Sequence, residues 1–276
     1  MRVLIVTAVP AERDAVVRGI AATAPEVAEL PVPGGVIHRL SPVPPTGRPL
    51  TVDVLAAGVG PAAAAAGTAA ALTAAAVART PYDLAVSAGI GGGFTATPPT
   101  TAAPATTPRT AAAPTTPRPG SAAARLGSVV VADAIVAADL GAETPDGFAA
   151  VTDLGFGTVE HLPPAPLVAA VAEATDAVRG TVLTVSTVTG SAERAAELLR
   201  RHPHAVAEAM EGFGVAEAAA AQAVPALEVR TVSNAVGPRD RAAWRIGEAM
   251  AALTSAFATI APLLGTWTFD PEGTRQ

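Results

Sequence analysis

Short apolar segments alternate with alanine-rich segments along the chain, and this alternation restricts the folds that it can adopt. Met1–Ala8 is apolar and ends before Pro10, and Ala11–Ile20 has a helical pattern. Asp83–Ser87 is a second apolar segment, which follows the alanine-rich run Pro61–Ala78. Strands that alternate with helices favour a largely parallel sheet covered by helices. We therefore predict an α/β fold: a single three-layer αβα domain with a twisted, mostly parallel or mixed central sheet.

The same criteria predict further elements in the rest of the chain. Strands are expected at Val36–Leu40, Leu50–Ala56, Ser128–Ala132, Thr181–Ser186, Ala205–Ala207 and Leu227–Thr231, and helices at Pro163–Val178, Ser191–Arg201 and Trp244–Leu264. Gly58–Gly60 and Gly89–Gly93 are predicted to form tight turns at strand ends. Gly58–Gly60 opens a helix, but its next glycine, Gly67, lies too far on for a dinucleotide-binding loop, and Gly89–Gly93 does not lead into a helix.

Thr95–Ala124 interrupts this pattern. It consists almost entirely of Thr, Ala and Pro, with seven prolines, no acidic residue and no large apolar side chain. Such a segment cannot offset the entropy of ordering by burial. Because strand signals resume directly after it, we predict a disordered insertion at 95–124 within one domain that spans residues 1–265, followed by a loose tail at 266–276.

Composition excludes several kinds of chemistry. All 18 basic residues are Arg, and the chain contains neither Lys nor Cys. This excludes a Schiff-base lysine, a P-loop lysine, a thiol nucleophile and a cysteine zinc site. The net charge of −6 argues against nucleic acid as a partner. The N-terminal apolar run is too short for a secretory signal, and Pro61–Ala78 is only weakly hydrophobic, so we expect a cytoplasmic protein without a membrane span.

Two stretches near the C-terminus carry the strongest functional signal. Ala209–Phe213 contains Glu211 in apolar surroundings, and Val232–Asp240 contains Asn234. Each follows a predicted strand, so both are expected at adjacent strand ends, where open α/β sheets bind ligands. A carboxylate in apolar surroundings usually has a specific partner, whereas Asn234 has the simpler alternative of capping a turn.

A third candidate, Glu12, follows the first strand at the start of a helix, where a carboxylate also suits the helix dipole. His202-Pro203-His204 has metal-binding residue types but no further ligands nearby, and we predict a turn there. No metal site and no organic cofactor are predicted.

In order along the chain, these motifs resemble the purine nucleoside phosphorylase and nucleosidase superfamily. The resemblance rests on Glu12, Gly58-Val59-Gly60, Gly89-Ile90-Gly91-Gly92, Ala209-Met210-Glu211-Gly212 and Ser233-Asn234. Within the superfamily the chain is most similar to the futalosine hydrolases, through Thr187–Arg194 and through Gly237–Asp240. The resemblance covers nearly the whole chain except Thr95–Ala124 and the tail.

The resemblance implies a nucleosidase that cleaves futalosine to hypoxanthine and dehypoxanthine futalosine in menaquinone biosynthesis. Glu12 would activate water, and Glu211 would bind the ribose hydroxyls with Met210 against the sugar. Asn234 would meet the purine, and Asp240 is a candidate acid. Gly89 and Gly91 are candidate substrate contacts, and Arg239 or Arg241 would meet the benzoate of futalosine.

Methylthioadenosine nucleosidases carry Asp where this chain has Asn234. An ionised carboxylate only accepts hydrogen bonds, whereas an amide nitrogen donates two. Adenine presents an amino donor beside N7, and hypoxanthine presents two acceptors, O6 and N7. Asn234 therefore favours a 6-oxopurine, and a mismatched base leaves buried polar groups unpaired.

Phosphorolysis is the main chemical alternative. Phosphorylases of the superfamily place an Arg two residues before the strand-end glycine, where this chain has Ser87 before Gly89. Arg13, Arg39 and Arg48 are other possible sources of charge, but the missing Arg favours water. The alternatives are thus an adenine-releasing methylthioadenosine/S-adenosylhomocysteine nucleosidase, a purine nucleoside phosphorylase, and a non-catalytic nucleoside-binding protein. The resemblance also implies a homodimer or larger homo-oligomer.

Overall fold

The computed structural model describes residues 1–24, 26–41, 49–95 and 123–267. These residues form a ten-stranded mixed sheet, a separate two-stranded hairpin and six α-helices. The strands are β1 (Arg2–Thr7), β2 (Val27–Val32), β3 (Gly35–Leu40), β4 (Thr51–Ala56), β5 (Leu84–Gly93), β6 (Val129–Ala137), β7 (Gly141–Thr144), β8 (Gly147–Ala150), β9 (Glu160–His161), β10 (Val178–Thr184), β11 (Ala205–Ala209) and β12 (Ala226–Ala235). The helices are α1 (Pro10–Ala21), α2 (Pro61–Val77), α3 (Ala165–Thr175), α4 (Ala192–Arg201), α5 (Gly212–Ala220) and α6 (Ile246–Leu264), and a 3-10 helix covers Arg241–Ala243.

The main sheet has the strand order β11-β10-β6-β12-β5-β1-β4-β3-β2, and β9 pairs with β6. Because β11 also pairs with β5, the strands β5, β12, β6, β10 and β11 form a closed ring. β4, β1, β5 and β12 run parallel to one another, and β6, β10 and β11 form a second parallel group in the opposite direction. The predicted α/β class with a mostly parallel or mixed sheet is confirmed.

The glycine-rich end of β5 joins two strands that the sequence placed side by side. Gly92 pairs with Glu208 of β11 on one side and with Asn234 of β12 on the other. A Cβ on Gly91 would lie 2.8 Å from the Glu208 carbonyl oxygen, so this close backbone approach requires glycine. The predicted turn at Gly89–Gly93 is therefore wrong, and β11 and β12 are not adjacent, since the end of β5 lies between them.

Helices cover both faces of the sheet, and β1 shows how the sequence specifies this. Val3 and Ile5 pack into a core with α1, α3 and α6, whereas Leu4 and Val6 pack into a second core with α2 and α5. Side chains alternate between the faces of a strand, so an uninterrupted apolar run is required where both faces are covered. α2 and α5 lie very close together: a Cβ on Gly214 would be only 2.1 Å from the Pro61 carbonyl oxygen.

α6 is the one helix within the described ranges that is long and apolar enough to cross a membrane, with a mean hydropathy of 1.4 over a window of its 19 residues. Its Leu253, Phe257 and Ile260 are fully buried in the core with α1. A core helix of a globular protein has the same composition, so this is weak evidence for a membrane span.

Several boundaries differ from the sequence predictions. β2 was not predicted, because most of its residues are exposed and lack an apolar pattern. Ser233 and Asn234 belong to β12 itself, and α6 begins at Ile246 rather than Trp244. The predicted insertion at 95–124 and tail at 266–276 lie mostly outside the described residues, so the domain boundaries stay predictions.

Candidate active site

A cavity of about 280 Å³ lies where β1, β5, β11 and β12 meet. Its lining includes Glu12, Met210, Glu211 and Asn234, which the sequence placed in separate motifs. Gly91 also lines it. The structure therefore brings together most of the predicted site residues from four distant parts of the chain.

Glu12 is buried and rigidly oriented. Its Oε2 accepts hydrogen bonds from the backbone N–H groups of Ala8, at 3.0 Å, and Val9, at 3.3 Å, and its Oε1 accepts one from Ile90 at 2.9 Å. Burial raises the pKa of Glu12 above its ordinary value, although nearby Arg230 and the backbone donors partly oppose this increase. A fixed carboxylate with a raised pKa is suited to accept a proton near neutral pH.

Arg230 is the main functional candidate that sequence reasoning missed. It is fully buried, its Nε donates to Glu228 Oε1 at 2.9 Å, and its Nη2 donates to Ser87 Oγ at 2.7 Å. Its Nη1 lies 3.2 Å from Glu211 Oε2 but has no hydrogen-bond partner within the described part of the chain. A signal was present, since Glu228 and Arg230 stand on one face of an otherwise buried apolar strand, where charged residues are rare.

Gly89 lies next to the charged groups of both Glu12 and Arg230. It does not line the cavity as predicted, but a Cβ here would be 2.5 Å from Glu12 Oε1 and 2.8 Å from Arg230 Nη1. Both atoms therefore pack directly against the Gly89 backbone. Only glycine leaves this space open, so Gly89 acts by its lack of a side chain.

Glu211, which follows β11, contacts the same buried guanidinium of Arg230. Its Oε1 accepts a hydrogen bond from Gly60 N at 3.2 Å, and its Oε2 accepts one from Met210 N at 3.3 Å. Glu12, Glu211 and Glu228 thus surround one guanidinium. Burial alone would lower the pKa of Arg230, but these three carboxylates outweigh burial and raise it.

Asn234 is half-buried and also lines the cavity. Its Oδ1 accepts a hydrogen bond from Ser233 Oγ at 2.8 Å, and its Nδ2 donates one to Ala235 O at 2.9 Å. One N–H of the amide remains for a ligand, because an amide nitrogen carries two.

Glu208 is a second residue that the sequence analysis did not single out. Its side chain is buried and lines the cavity. Its Oε1 accepts a hydrogen bond from Thr189 N at 2.8 Å, and its Oε2 accepts one from Thr189 Oγ1. Burial raises the pKa of Glu208, and the bonds from Thr189 lower it to a smaller extent.

The segment after β12 supplies the outer wall of the cavity. Arg239 lines it, with its guanidinium 5.2 Å from the ring centroid of Trp244, which also lines it. Arg241 does not line it. Asp240, predicted as an acid, is also absent from the lining, because its Oδ1 accepts a hydrogen bond from Ala242 N at 3.1 Å and caps the 3-10 helix. Of the two arginines, Arg239 is therefore the one that can contact a ligand.

Other residues considered from the sequence lie elsewhere. Arg13 pairs with Asp14 and Arg39 with Asp53, whereas Arg48 lies outside the described residues. His202 ends α4, and no group of three His, Cys, Asp or Glu side chains suited to a metal ion occurs within the described ranges.

Comparison with known proteins places the chain among nucleosidases. It is 62% identical to a futalosine hydrolase of Streptomyces coelicolor over 97% of this chain and 98% of that protein. It is 40% identical to a futalosine hydrolase of Acidothermus cellulolyticus over 98% of this chain and 93% of that protein. No protein-family model matches the chain.

The fold agrees with this relationship. The structure superposes on a 5′-methylthioadenosine/S-adenosylhomocysteine nucleosidase of Neisseria meningitidis, solved with methylthio-immucillin-A, with a TM-score of 0.69. The two share 16% identity, and the match covers 96% of this chain and 99% of the other. The fold is therefore shared with nucleosidases of different substrate, and the two sequence matches identify the closer relationship: this chain belongs to the futalosine hydrolase family.

Proposed function

We propose that this protein hydrolyses the N-glycosidic bond of futalosine and releases hypoxanthine and dehypoxanthine futalosine. The observation that carries the proposal is that Glu12, Glu211 and Asn234 line one cavity, with the two carboxylates next to the buried Arg230. This arrangement offers an oriented base for the sugar and a hydrogen-bond donor for the purine.

The reaction begins with a water molecule in the cavity beside Glu12. Glu12 accepts a proton from the water, and Arg230, which is buried and does not line the cavity, compensates the charge of Glu12 and Glu211. The oxygen forms a bond to the anomeric carbon as the bond from that carbon to N9 of the purine breaks. The electron pair of the broken bond moves into the base, which takes up a proton from solvent and leaves as hypoxanthine, and Glu12 returns its proton to solvent.

The charges of the site favour the transition state of this reaction. Cleavage of an N-ribosidic bond develops positive charge on the sugar, and the surrounding carboxylates stabilise it electrostatically. Glu211 accepts hydrogen bonds from the ribose hydroxyls, with Met210 against the sugar. Asn234 donates to the base and stabilises the negative charge that it acquires.

The same charges disfavour phosphate as the nucleophile. Three carboxylates lie around the single buried guanidinium, so a phosphate dianion would be repelled. Arg239 is at the outer wall of the cavity, where it suits the benzoate carboxylate of futalosine.

The test is the release of purine from futalosine, followed by chromatography with and without phosphate. Hypoxanthine release without phosphate supports the proposal. Turnover that requires phosphate supports a phosphorylase, faster adenine release from methylthioadenosine supports an adenine-specific nucleosidase, and binding without turnover supports a non-catalytic protein.

We further propose that the enzyme is a cytoplasmic homodimer or larger homo-oligomer that acts in menaquinone biosynthesis. Large apolar side chains are exposed in the segment between β6 and α3, namely Leu140, Leu154, Phe156 and Leu162, and such side chains often mark subunit contacts. Light scattering after size-exclusion chromatography tests the oligomeric state. Limited proteolysis tests our domain proposal, which predicts cleavage within 95–124 and 266–276 and a resistant remainder.

A further inference from the structure

Two polar side chains flank one glycine in the floor of the cavity. Glu208 of β11 and Asn234 of β12 both pair with Gly92 of β5, and both line the cavity. Neighbouring strands are spaced by about 4.8 Å, so the two backbones are roughly 10 Å apart across Gly92. Since Gly92 has no side chain, the space between them is open to the edge of a planar group.

The carboxylate of Glu208 has capacity left for a ligand. A carboxylate has about four acceptor positions, and Thr189 fills one on each oxygen. Within the described ranges Glu208 forms no ion pair within 4 Å, although it is only 5% exposed, and Arg194 acts on its charge from a greater distance. Burial of a carboxylate without a direct partner cation is unfavourable, and holding the Thr189 backbone requires only a neutral acceptor. Because Glu208 lines the cavity, its remaining acceptor positions are available to a ligand.

The chemistry of purines supplies this explanation. A 6-oxopurine carries a hydrogen on N1, next to O6, whereas N1 of adenine carries a lone pair. A carboxylate accepts a hydrogen bond from the first and repels the second. With Asn234 at the N7 and O6 side of the base, an acceptor on the opposite side of Gly92 is suitably located for N1.

We propose that Glu208, held by Thr189, accepts a hydrogen bond from N1–H of the hypoxanthine base and is a specificity-determining residue beside Asn234. The inference rests on the proposed function, since it assigns the base end of the same cavity. Under this proposal the enzyme recognises two sides of the base. Asn234 selects a base with acceptors at O6 and N7, and Glu208 selects a base with a donor at N1.

Glu208→Gln tests the proposal with little change of shape. The amide oxygen can accept from Thr189 N and the amide nitrogen can donate to Thr189 Oγ1, so the local structure is preserved. The variant then lacks the charge and presents an N–H to the base. We expect kcat/KM for futalosine to fall about 10- to 100-fold, and the preference for futalosine over its adenine-bearing analogue to fall by a similar factor.

Thr189→Val is the matched control, because it removes one bond to Glu208 and keeps the carboxylate. Under the proposal this variant still prefers the hypoxanthine substrate. If Glu208 only supports the Thr189 backbone, Glu208→Gln leaves the preference between the two substrates unchanged, and the proposal is overturned. Thermal melting of each variant separates these outcomes from loss of the fold.

Binding of free bases to the unmodified protein gives an independent measurement by calorimetry. The proposal predicts that hypoxanthine binds at least 10-fold more tightly than 1-methylhypoxanthine and that Glu208→Gln reduces this ratio. An unchanged ratio in the variant overturns the inference even if futalosine is hydrolysed. Absence of hypoxanthine release from futalosine by the unmodified protein instead overturns the proposed function, and the base-binding ratios still test Glu208.

Discussion

Arg230 Nη2 donates a hydrogen bond of 2.7 Å to Ser87 Oγ, which joins the neighbouring strands β12 and β5 in the protein interior. The sequence analysis treated Ser87 as the mark of a missing arginine, because phosphorylases of the superfamily carry Arg at the corresponding place. A guanidinium is nevertheless present there, supplied by β12. The case for water as the nucleophile thus rests on the excess of carboxylates around Arg230, and no longer on the absence of positive charge.

Replacement of Glu12 by Gln removes the proton acceptor with little change of shape. We expect kcat to fall about 10³-fold, because a positioned general base contributes roughly 10²- to 10⁴-fold. The binding of hypoxanthine should change little, but the melting temperature should fall modestly, because Gln keeps one oxygen for the backbone donors and turns an N–H toward the others. Glu26→Gln, at an exposed position, is the control and should behave as the unmodified enzyme. Retention of activity in Glu12→Gln would contradict the assigned role.

The raised pKa of Glu12 predicts how activity depends on pH. Burial is the main cause of the increase, and the base acts only when it is ionised. Activity should therefore decline as the pH falls through the raised pKa, at a higher pH than an ordinary glutamate would give. In Glu12→Gln this acidic limb should disappear from the residual activity.

The raised pKa of Glu12 also predicts how the free energy of unfolding depends on pH. Between the ordinary pKa of Glu and the raised value, the folded protein binds more protons at Glu12 than the unfolded chain does. The contribution of Glu12 to the free energy of unfolding therefore decreases as the pH rises through this window. Denaturant titrations of the enzyme and of Glu12→Gln across this range measure the difference.

Arg230 and Glu228 form a buried ion pair whose two members can be removed separately or together. Arg230→Met leaves Glu228 without its cation and should lower the free energy of unfolding by ~3–5 kcal/mol. Glu228→Leu combined with Arg230→Met removes both buried charges and should recover part of this loss. Activity should stay low in the double variant, because Glu12 and Glu211 lose the cation next to them. A double variant that is both stable and fully active would show that Arg230 has only a structural role.

Asn234→Asp tests the recognition of the 6-oxopurine. Asn234 keeps one N–H for the O6 and N7 side of the base, whereas the carboxylate cannot donate but can accept from the amino group of adenine. We expect the ratio of kcat/KM for futalosine to that for its adenine-bearing analogue to fall about 10²-fold or more. Asn234→Ala is the control, because it should weaken both substrates without reversing the preference. Equal losses in both variants would exclude a role in base selection.

The sequence was sufficient for the fold class and for the presence of most apolar elements, because continuous apolar runs such as β1 require burial on both faces. It was insufficient where tertiary pairing decides the outcome. Gly89–Gly93 has the local composition of a turn, and only its pairing with β11 and β12 makes it a strand. β2 carries no apolar pattern because much of it is exposed.

The site was predictable where a residue follows a strand in unusual surroundings, as Glu12 and Glu211 do. Arg230, Glu228 and Glu208 lie within strands, and their importance depends on contacts between elements distant in sequence. Asp240 illustrates the opposite error. The resemblance suggested a catalytic acid at this position, whereas its carboxylate caps the 3-10 helix. The pair of charged residues Glu228 and Arg230 on one face of a buried strand was the signal that could have identified Arg230.

The most direct test of the account is purine release from futalosine, inosine and methylthioadenosine, each with and without phosphate. The account predicts hypoxanthine from futalosine at a rate independent of phosphate, with much slower release from the other two nucleosides. Adenine release from methylthioadenosine at a comparable rate, or a requirement for phosphate, would contradict it.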